Sequence, residues 1–301
     1  MTPFHRARRQ TFTPLLTPFS DGRIDVRAFE AAIDRQIVAG VDGVVVGDPI
    51  GEGPSLSQDE RDELLKACIA RGSQHLTVIA ATGTNCTAET IERCRRAQDL
   101  GADALLVTVP YYSKPMPKGV LNHFHEVAAA ASIPVIVDDD PGRTARDYGS
   151  ALLERIASLD IIIGICHGMD RLSHFAGLSA LMKDRFLHLS RDDRAILQFL
   201  DMGGHGAISP LANVIPSPVQ TLIAMSERSS ASNSLERAVD AAAIALGRDE
   251  VVAVKEAQSF IHQSLADVRL PLVAAEPETV IRVRQAFAPF ARCGLSMRRV
   301  A

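Results

Sequence analysis

The stretch TAETIERCRRAQDL (Thr87–Leu100), followed after three residues by ALLV (Ala104–Val107), decides the fold. An amphipathic pattern of helical period gives way to a short, continuous apolar run of strand length. The same alternation repeats in both directions along the chain. Further apolar runs lie at Phe12–Leu16, Gly43–Val46, Thr77–Ala80, Pro134–Val137, Ile161–Ile165, Phe186–Leu189 and Gly206–Ser209. Helical patterns separate them near 26–39, 57–71, 118–131, 150–158, 170–182 and 194–202. The one near 57 opens on Ser57-Gln-Asp-Glu60, a capping box in which side chains satisfy the first backbone N–H groups of a helix. Strands without polar alternation are buried on both faces, which implies a parallel sheet under helices. Eight such units in a row predict an α/β fold of the (β/α)8 TIM-barrel type rather than an open doubly wound sheet. No G-x-G-x-x-G follows the first strand, which counts against a dinucleotide-binding fold.

Beyond the eighth strand the pattern is wholly helical, near 218–227, 235–247, 249–266 and 278–291, with a polar surface loop expected at Ser226–Ser234. The expected organisation is an N-terminal tail at 1–10 and a barrel core at 11–215. A barrel-closing helix and C-terminal helical extension follow at 216–301, all in one domain. Hydrophobic residues make up 47% of the 301 and charged residues 23%, which excludes a disordered chain. No apolar run approaches the ~18 residues of a membrane span. A formal net charge of −4 supplies no basic field for nucleic acid or anionic lipid. The five cysteines, Cys68, Cys86, Cys94, Cys166 and Cys293, show no paired spacing, which argues against a disulfide framework or a zinc ribbon. The start lacks the apolar core of a signal peptide, so a cytoplasmic location is expected.

In a barrel, chemistry gathers where strands end on the C-terminal face. The segments following strands 2, 4 and 5 are Gly47–Glu52, Pro110–Pro115 and Asp138–Thr144. Those following strands 6, 7 and 8 are Cys166–Asp170, Ser190–Asp193 and Gly206–Ser209. Cys166 reads either as a nucleophile or as a small apolar filler, the commoner state of a free cysteine. In an extended segment His167 points away from it. Asp138, Asp139, Asp140, His167, Asp192, Asp193 and His205 could supply ligands to a divalent ion. They follow no ligand motif, so neither a tightly bound metal nor another cofactor is expected.

Several segments carry a resemblance. They are Leu16-Thr-Pro-Phe19, Gly51-Glu52 before Leu56-Ser57, Thr82-Gly83-Thr84 with Thr87-Ala-Glu89, and Tyr111-Tyr-Ser-Lys-Pro115. Pro141-Gly-Arg-Thr144, Asp192-Asp193, Gly203-Gly204, Ala207-Ile-Ser209 and Glu276-Pro277 continue in register. In this order and spacing the chain resembles the dihydrodipicolinate synthase / N-acetylneuraminate lyase family of pyruvate-handling aldolases. That resemblance implies a Schiff-base lysine at the end of strand 6, in a Gly-Ile-Lys-Glu pattern. Here the run is Gly164-Ile165-Cys166-His167. A thiol cannot form the iminium that serves as electron sink. The family's proton-shuttling tyrosine after strand 5 is matched by Asp138. Its Gly-Thr-Thr-Gly-Glu relay is matched by Asp48-Pro49-Ile50-Gly51-Glu52.

Other matched positions remain. Tyr112 corresponds to a tyrosine that crosses a dimer interface, and Arg143 to an arginine that holds a substrate carboxylate with its planar fork. Ile50, Gly51 and Ile208 fall on positions lining the pocket. The resemblance thus implies a homodimer or homotetramer that binds a small anionic keto- or sugar-acid. Tyr112, Asp138 and Cys166 fall on the catalytic positions. The expected activity is that of a lyase or aldolase working without a lysine Schiff base. The alternatives are a non-catalytic ligand-binding or regulatory homologue and, against the evidence of Cys166, a true dihydrodipicolinate synthase.

Overall fold

The strands are β1 (Gln10–Pro14), β2 (Gly43–Val46), β3 (Thr77–Ala81), β4 (Ala104–Thr108), β5 (Val135–Asp139), β6 (Ile162–His167), β7 (Leu187–Ser190) and β8 (Gly206–Ile208). In the computed structural model all eight pair in parallel with their sequence neighbours. β1 also pairs with β8, which closes the barrel. The structure describes residue 4 and residues 8–226, 233–247 and 250–297. Most of the expected tail and of the loop at Ser226–Ser234 lie outside the described residues.

The period-2 alternation of each strand sorts its side chains between two cores. Val45, Ile79, Leu106, Ile136, Cys166, Leu189 and Ile208 fill the barrel interior with Phe12. Val44, Val46, Val78, Leu105, Val107 and Val137 face outward into a second cluster under the helices. That outer layer includes α1 (Val26–Ala39), α2 (Gln58–Gly72), α3 (Thr87–Leu100) and α4 (Pro117–Ala130). Helix α2 begins with the expected capping box: Glu60 N–H donates to Ser57 Oγ at 3.2 Å, and Ser57 N–H donates to Glu60 Oε2 at 2.9 Å.

The helical pattern near 170–182 breaks into two pieces, α6 (Leu172–Ala176) and α7 (Ala180–Arg185), after α5 (Gly149–Ala157). Ser179 starts the second piece by accepting from Met182 N–H at 3.3 Å. After α8 (Ile196–Asp201) come α9 (Pro216–Ser226), α10 (Asn233–Leu246), α11 (Glu250–His262) and α12 (Pro277–Met297). Leu222, Val239, Val254 and Phe287 of these last helices share one buried cluster with Leu16 and Ile50 from the barrel mouth.

Three strands run further than their apolar residues. β4 continues to Thr108, β5 through Asp138 and Asp139, and β6 through Cys166 and His167. An apolar run stops at the first polar side chain, but ladder hydrogen bonds involve only the backbone, so pairing continues past it. Between Val135 and Ile136 the register slips by one residue on β6. From there Asp138 lies beside Cys166, and Asp139 beside His167. β1 lies two residues earlier than its apolar run suggests. Its buried Thr13 is satisfied by donating to Gln36 Oε1 at 2.8 Å, so polarity does not exclude it from the barrel.

Candidate active site at the barrel mouth

Alternation places Asp138 and Cys166 inward on adjacent strands, and Arg191, the first residue beyond β7, reaches between them. Its Nη1 donates to Asp48 Oδ2 at 2.6 Å and its Nη2 to Asp138 Oδ1 at 3.2 Å. The side chains of all three are 1% exposed or less. Thr108 Oγ1 donates to the other oxygen of Asp138 at 2.8 Å. Burial alone would lower the Arg191 pKa, but the Asp138 and Asp48 carboxylates hold it well above its ordinary value. Burial pushes the fully enclosed Cys166 thiol well up, against the pull of Arg191. Near neutral pH Cys166 therefore packs as a protonated thiol in the barrel interior.

A second ion-paired group borders the first. Arg143 Nη2 donates to Glu250 Oε2 at 3.1 Å, and its Nε lies 3.4 Å from Asp140 Oδ2. Asp140 is packed so closely that a Cβ on Gly168 would meet its Cγ at 2.6 Å. Burial raises the pKa values of Asp140 and Glu250. Asp193 accepts from Leu211 N–H at 2.9 Å, and burial pushes its carboxyl up to about 7. A carboxyl near 7 can both give and take a proton at neutral pH.

Next to this network is a cavity of about 230 Å³, lined among others by Asp48, Arg61, Arg93, Thr108, Tyr111 and Arg143. Among the described residues Arg61 donates only to backbone carbonyls, those of Gly47 and Gly53. Burial, and next the charge of Arg93, push it down to about 10. Arg93 is paired with Glu89. Two guanidinium groups that disfavour one another make a cavity suited to an anion. Arg143 also borders a second cavity of about 370 Å³ on its other side, with Glu250, Pro271 and Thr279.

Of the residues singled out from sequence, Asp138 and Cys166 meet at the barrel mouth, and Arg143 lines both cavities. Gly51 N–H donates to Asp48 Oδ1 at 3.1 Å. Ile50 and Ile208 are fully buried, the first against the C-terminal helices and the second in the barrel interior. Tyr112 is 88% exposed, with φ at +65°. Arg191, Glu250, Arg61 and Arg93 went unread in sequence. The signal for Arg191 was available: a cation just past a strand end, facing a run of three aspartates at another.

Of the five lysines, Lys66, Lys114 and Lys118 are exposed, and Lys183 donates to the Ala176 carbonyl at 3.2 Å. Lys255 is buried, bound to Glu52 and to the Asp267 carbonyl, with its ammonium 4.4 Å from the Phe19 ring centroid. Among the described residues no helix is long and apolar enough to cross a membrane.

A closed parallel barrel with its buried charges collected at the C-terminal strand ends defines a protein of the (β/α)8-barrel class. Within that class the chain belongs to the dihydrodipicolinate synthetase family, whose model matches residues 7–288. It is 38% identical over 207 residues to the 4-hydroxy-tetrahydrodipicolinate synthase of Bdellovibrio bacteriovorus, covering 69% of this chain and 71% of that one. It is 32% identical over 282 residues to the protein of the same name from Anaeromyxobacter sp. (strain Fw109-5), covering 92% and 95%. Among solved structures, the 4-hydroxy-tetrahydrodipicolinate synthase of Methylacidiphilum fumariolicum SolV superimposes with a TM-score of 0.89 at 27% identity, covering 96% of this chain and 97% of that one. The chloride-inhibited dihydrodipicolinate synthase of Acinetobacter baumannii, complexed with pyruvate, gives 0.88 at 26%, covering 93% and 98%.

Proposed function

We propose that this family member is a lyase-type enzyme that acts on a small keto- or sugar-acid without forming a lysine Schiff base. The observation that carries the proposal is the buried Asp48–Arg191–Asp138 cluster packed against Cys166. It occupies the strand ends where the family resemblance places the imine chemistry. In this proposal the ligand's carboxylate enters the neighbouring cavity and is held by Arg61, Arg93 and Arg143, with Tyr111 and Thr108 orienting it. Arg61 and Arg143, which line the cavity, stabilise negative charge developing on the substrate, and Arg191 acts from behind by holding Asp48 at the cavity wall. Cys166, Ile50, Gly51 and Ile208 form walls and supports. No resident cofactor takes part in these steps, and the proposed location is cytoplasmic.

Calorimetric titration with pyruvate, a keto-dicarboxylate and a sugar acid tests the pocket. At least one of these acids is expected to bind. Arg61→Ala should weaken it roughly tenfold or more, the effect of losing one charged hydrogen bond. Binding of none, or equal binding by the variant, would contradict the assignment. Product analysis in the same samples separates the enzyme from the second reading, a ligand-binding homologue. That second reading is favoured by the enclosure of Arg191, and tight binding without turnover would establish it.

The proposal includes a homodimer or a dimer of dimers with Tyr112 at the contact. A tyrosine 88% exposed in a left-handed backbone conformation lacks an intramolecular reason for its position. Sedimentation at micromolar concentration should show a dimer or larger species, and Tyr112→Ala should shift it toward monomer. A native chain that sediments as a monomer would contradict this part.

A further inference from the structure

Directly behind the charged barrel mouth, on the outward side of β5 and β6, lie Asp139 and His167, and His174 of α6 faces them. One ligand atom from each lies within 4.8 Å of the other two. Asp139 lies 28 residues before His167, and His174 seven after it, a spacing that follows no ligand motif. The fold brings them together.

A hydrogen-bond chain through this pocket orients the imidazoles. His188 Nε2 lies 3.0 Å from the Met182 carbonyl, which can only accept, so Nε2 carries the proton. His167 Nε2 lies 3.0 Å from His188 Nδ1, and in the tautomer in which it donates there the proton of a neutral His167 sits on Nε2. A neutral His167 then presents an unprotonated lone pair at Nδ1. Among the described residues that atom is buried without a hydrogen-bond partner, in a side chain 1% exposed. Both ring nitrogens of His174 likewise lack partners, so in either neutral tautomer one lone pair is free. A buried acceptor left unmet costs about 1–3 kcal/mol, and two neutral imidazoles beside a carboxylate meet that deficit best by sharing a cation.

We propose that Asp139, His167 and His174 form a site for one divalent transition-metal ion of the zinc type. Two nitrogen donors and one oxygen suit zinc or cobalt better than magnesium or calcium, which prefer all-oxygen shells. Zinc bonds of about 2.0–2.2 Å require the three groups to draw together. His174, half-buried on a five-residue helix, supplies that movement. His188 becomes the support that fixes the His167 tautomer. Arg171 Nη2, 2.9 Å from Asp139 Oδ2, holds one carboxylate oxygen while the other turns to the ion. Its positive charge moderates the affinity. The bound ion would tie β5, β6 and α6 together behind the barrel mouth, outside the ligand cavity.

The test is cobalt(II) titration of the chelator-treated native chain by visible absorption, with zinc competition and elemental analysis after dialysis. One ion per chain is expected, with a tetrahedral-type cobalt spectrum that zinc abolishes, and a higher thermal midpoint when zinc is present. His174→Ala should keep the native circular dichroism and weaken the ion at least about tenfold. Absence of saturable binding in the native chain would overturn the proposal and leave the pocket to a buried water. Unchanged stoichiometry and affinity in a folded His174→Ala variant would overturn it equally. If that variant does not fold, the native titration alone decides.

Discussion

Arg191→Ala is expected to destabilise the fold by about 3–5 kcal/mol, the usual result of removing one member of a fully buried ion-paired group. Arg191 is the shared partner of Asp48 and Asp138, whose side chains are no more than 1% exposed. Truncation leaves two carboxylates facing each other in a desolvated space. At least one must take up a proton to remain there, so its pKa in the folded variant rises above the unfolded value. Stability of such a group is fully present below the unfolded carboxylate pKa and is lost as pH rises through the raised folded pKa. The variant's deficit should therefore be larger at pH 8 than at pH 5. Arg191→Met with Asp48→Asn and Asp138→Asn should recover much of the loss, because no uncompensated charge is then buried. Denaturant titration at the two pH values measures all of this. A loss below about 1 kcal/mol, equal at both pH values, would show that the cluster is not the electrostatic keystone of the barrel mouth.

Cys166→Lys, the substitution that would put an amine where the family resemblance places one, is expected to yield no pyruvate imine. Cys166 is completely enclosed, and Arg191 lies against it. A lysine side chain there overfills a packed layer that includes Ile136, Leu189 and Ile208, which typically costs about 1–3 kcal/mol. It also sets an ammonium against a guanidinium, in competition for the same Asp138 carboxylate. If the ammonium wins that carboxylate, its pKa rises and the free amine needed for attack becomes scarcer. No hydroxyl relay stands at Pro49, Ile50 or Asp138 to finish the reaction. Reduction with borohydride in the presence of pyruvate should leave this variant without added mass. Stoichiometric trapping would show that the missing amine was the only obstacle.

The sequence made the frame of the barrel legible and much of its chemistry invisible, for separable reasons. Where a strand is apolar to its end, as Gly43–Val46 is, its bounds can be read directly; α1 and α3 likewise begin and end where their periodicity does. The strand ends that carry Thr108, Asp138, Asp139 and His167 were read as loops because polarity stops an apolar pattern but not a backbone ladder. Alternation set Cys166 and His167 on opposite sides of their strand, since that rule needs only local geometry, and the fold decides which side is inward. Pairings across the barrel could not be read that way. Arg191 meets Asp48 across 143 residues, and Arg143 meets Glu250 across 107. Arg61 and Arg93 lie on separate helices, where each looks like ordinary surface charge until the fold turns both toward one cavity. The resemblance located the positions that differ, and the structure located what surrounds them.

The most direct measurement is the intact mass of the native protein after incubation with pyruvate and borohydride. The proposed function predicts no covalent addition on any of the five lysines, including Lys255, whose ammonium is fixed by Glu52 and the Asp267 carbonyl. A reduced pyruvate adduct mapped to any lysine of the native chain would contradict the account and return the protein to the Schiff-base aldolases.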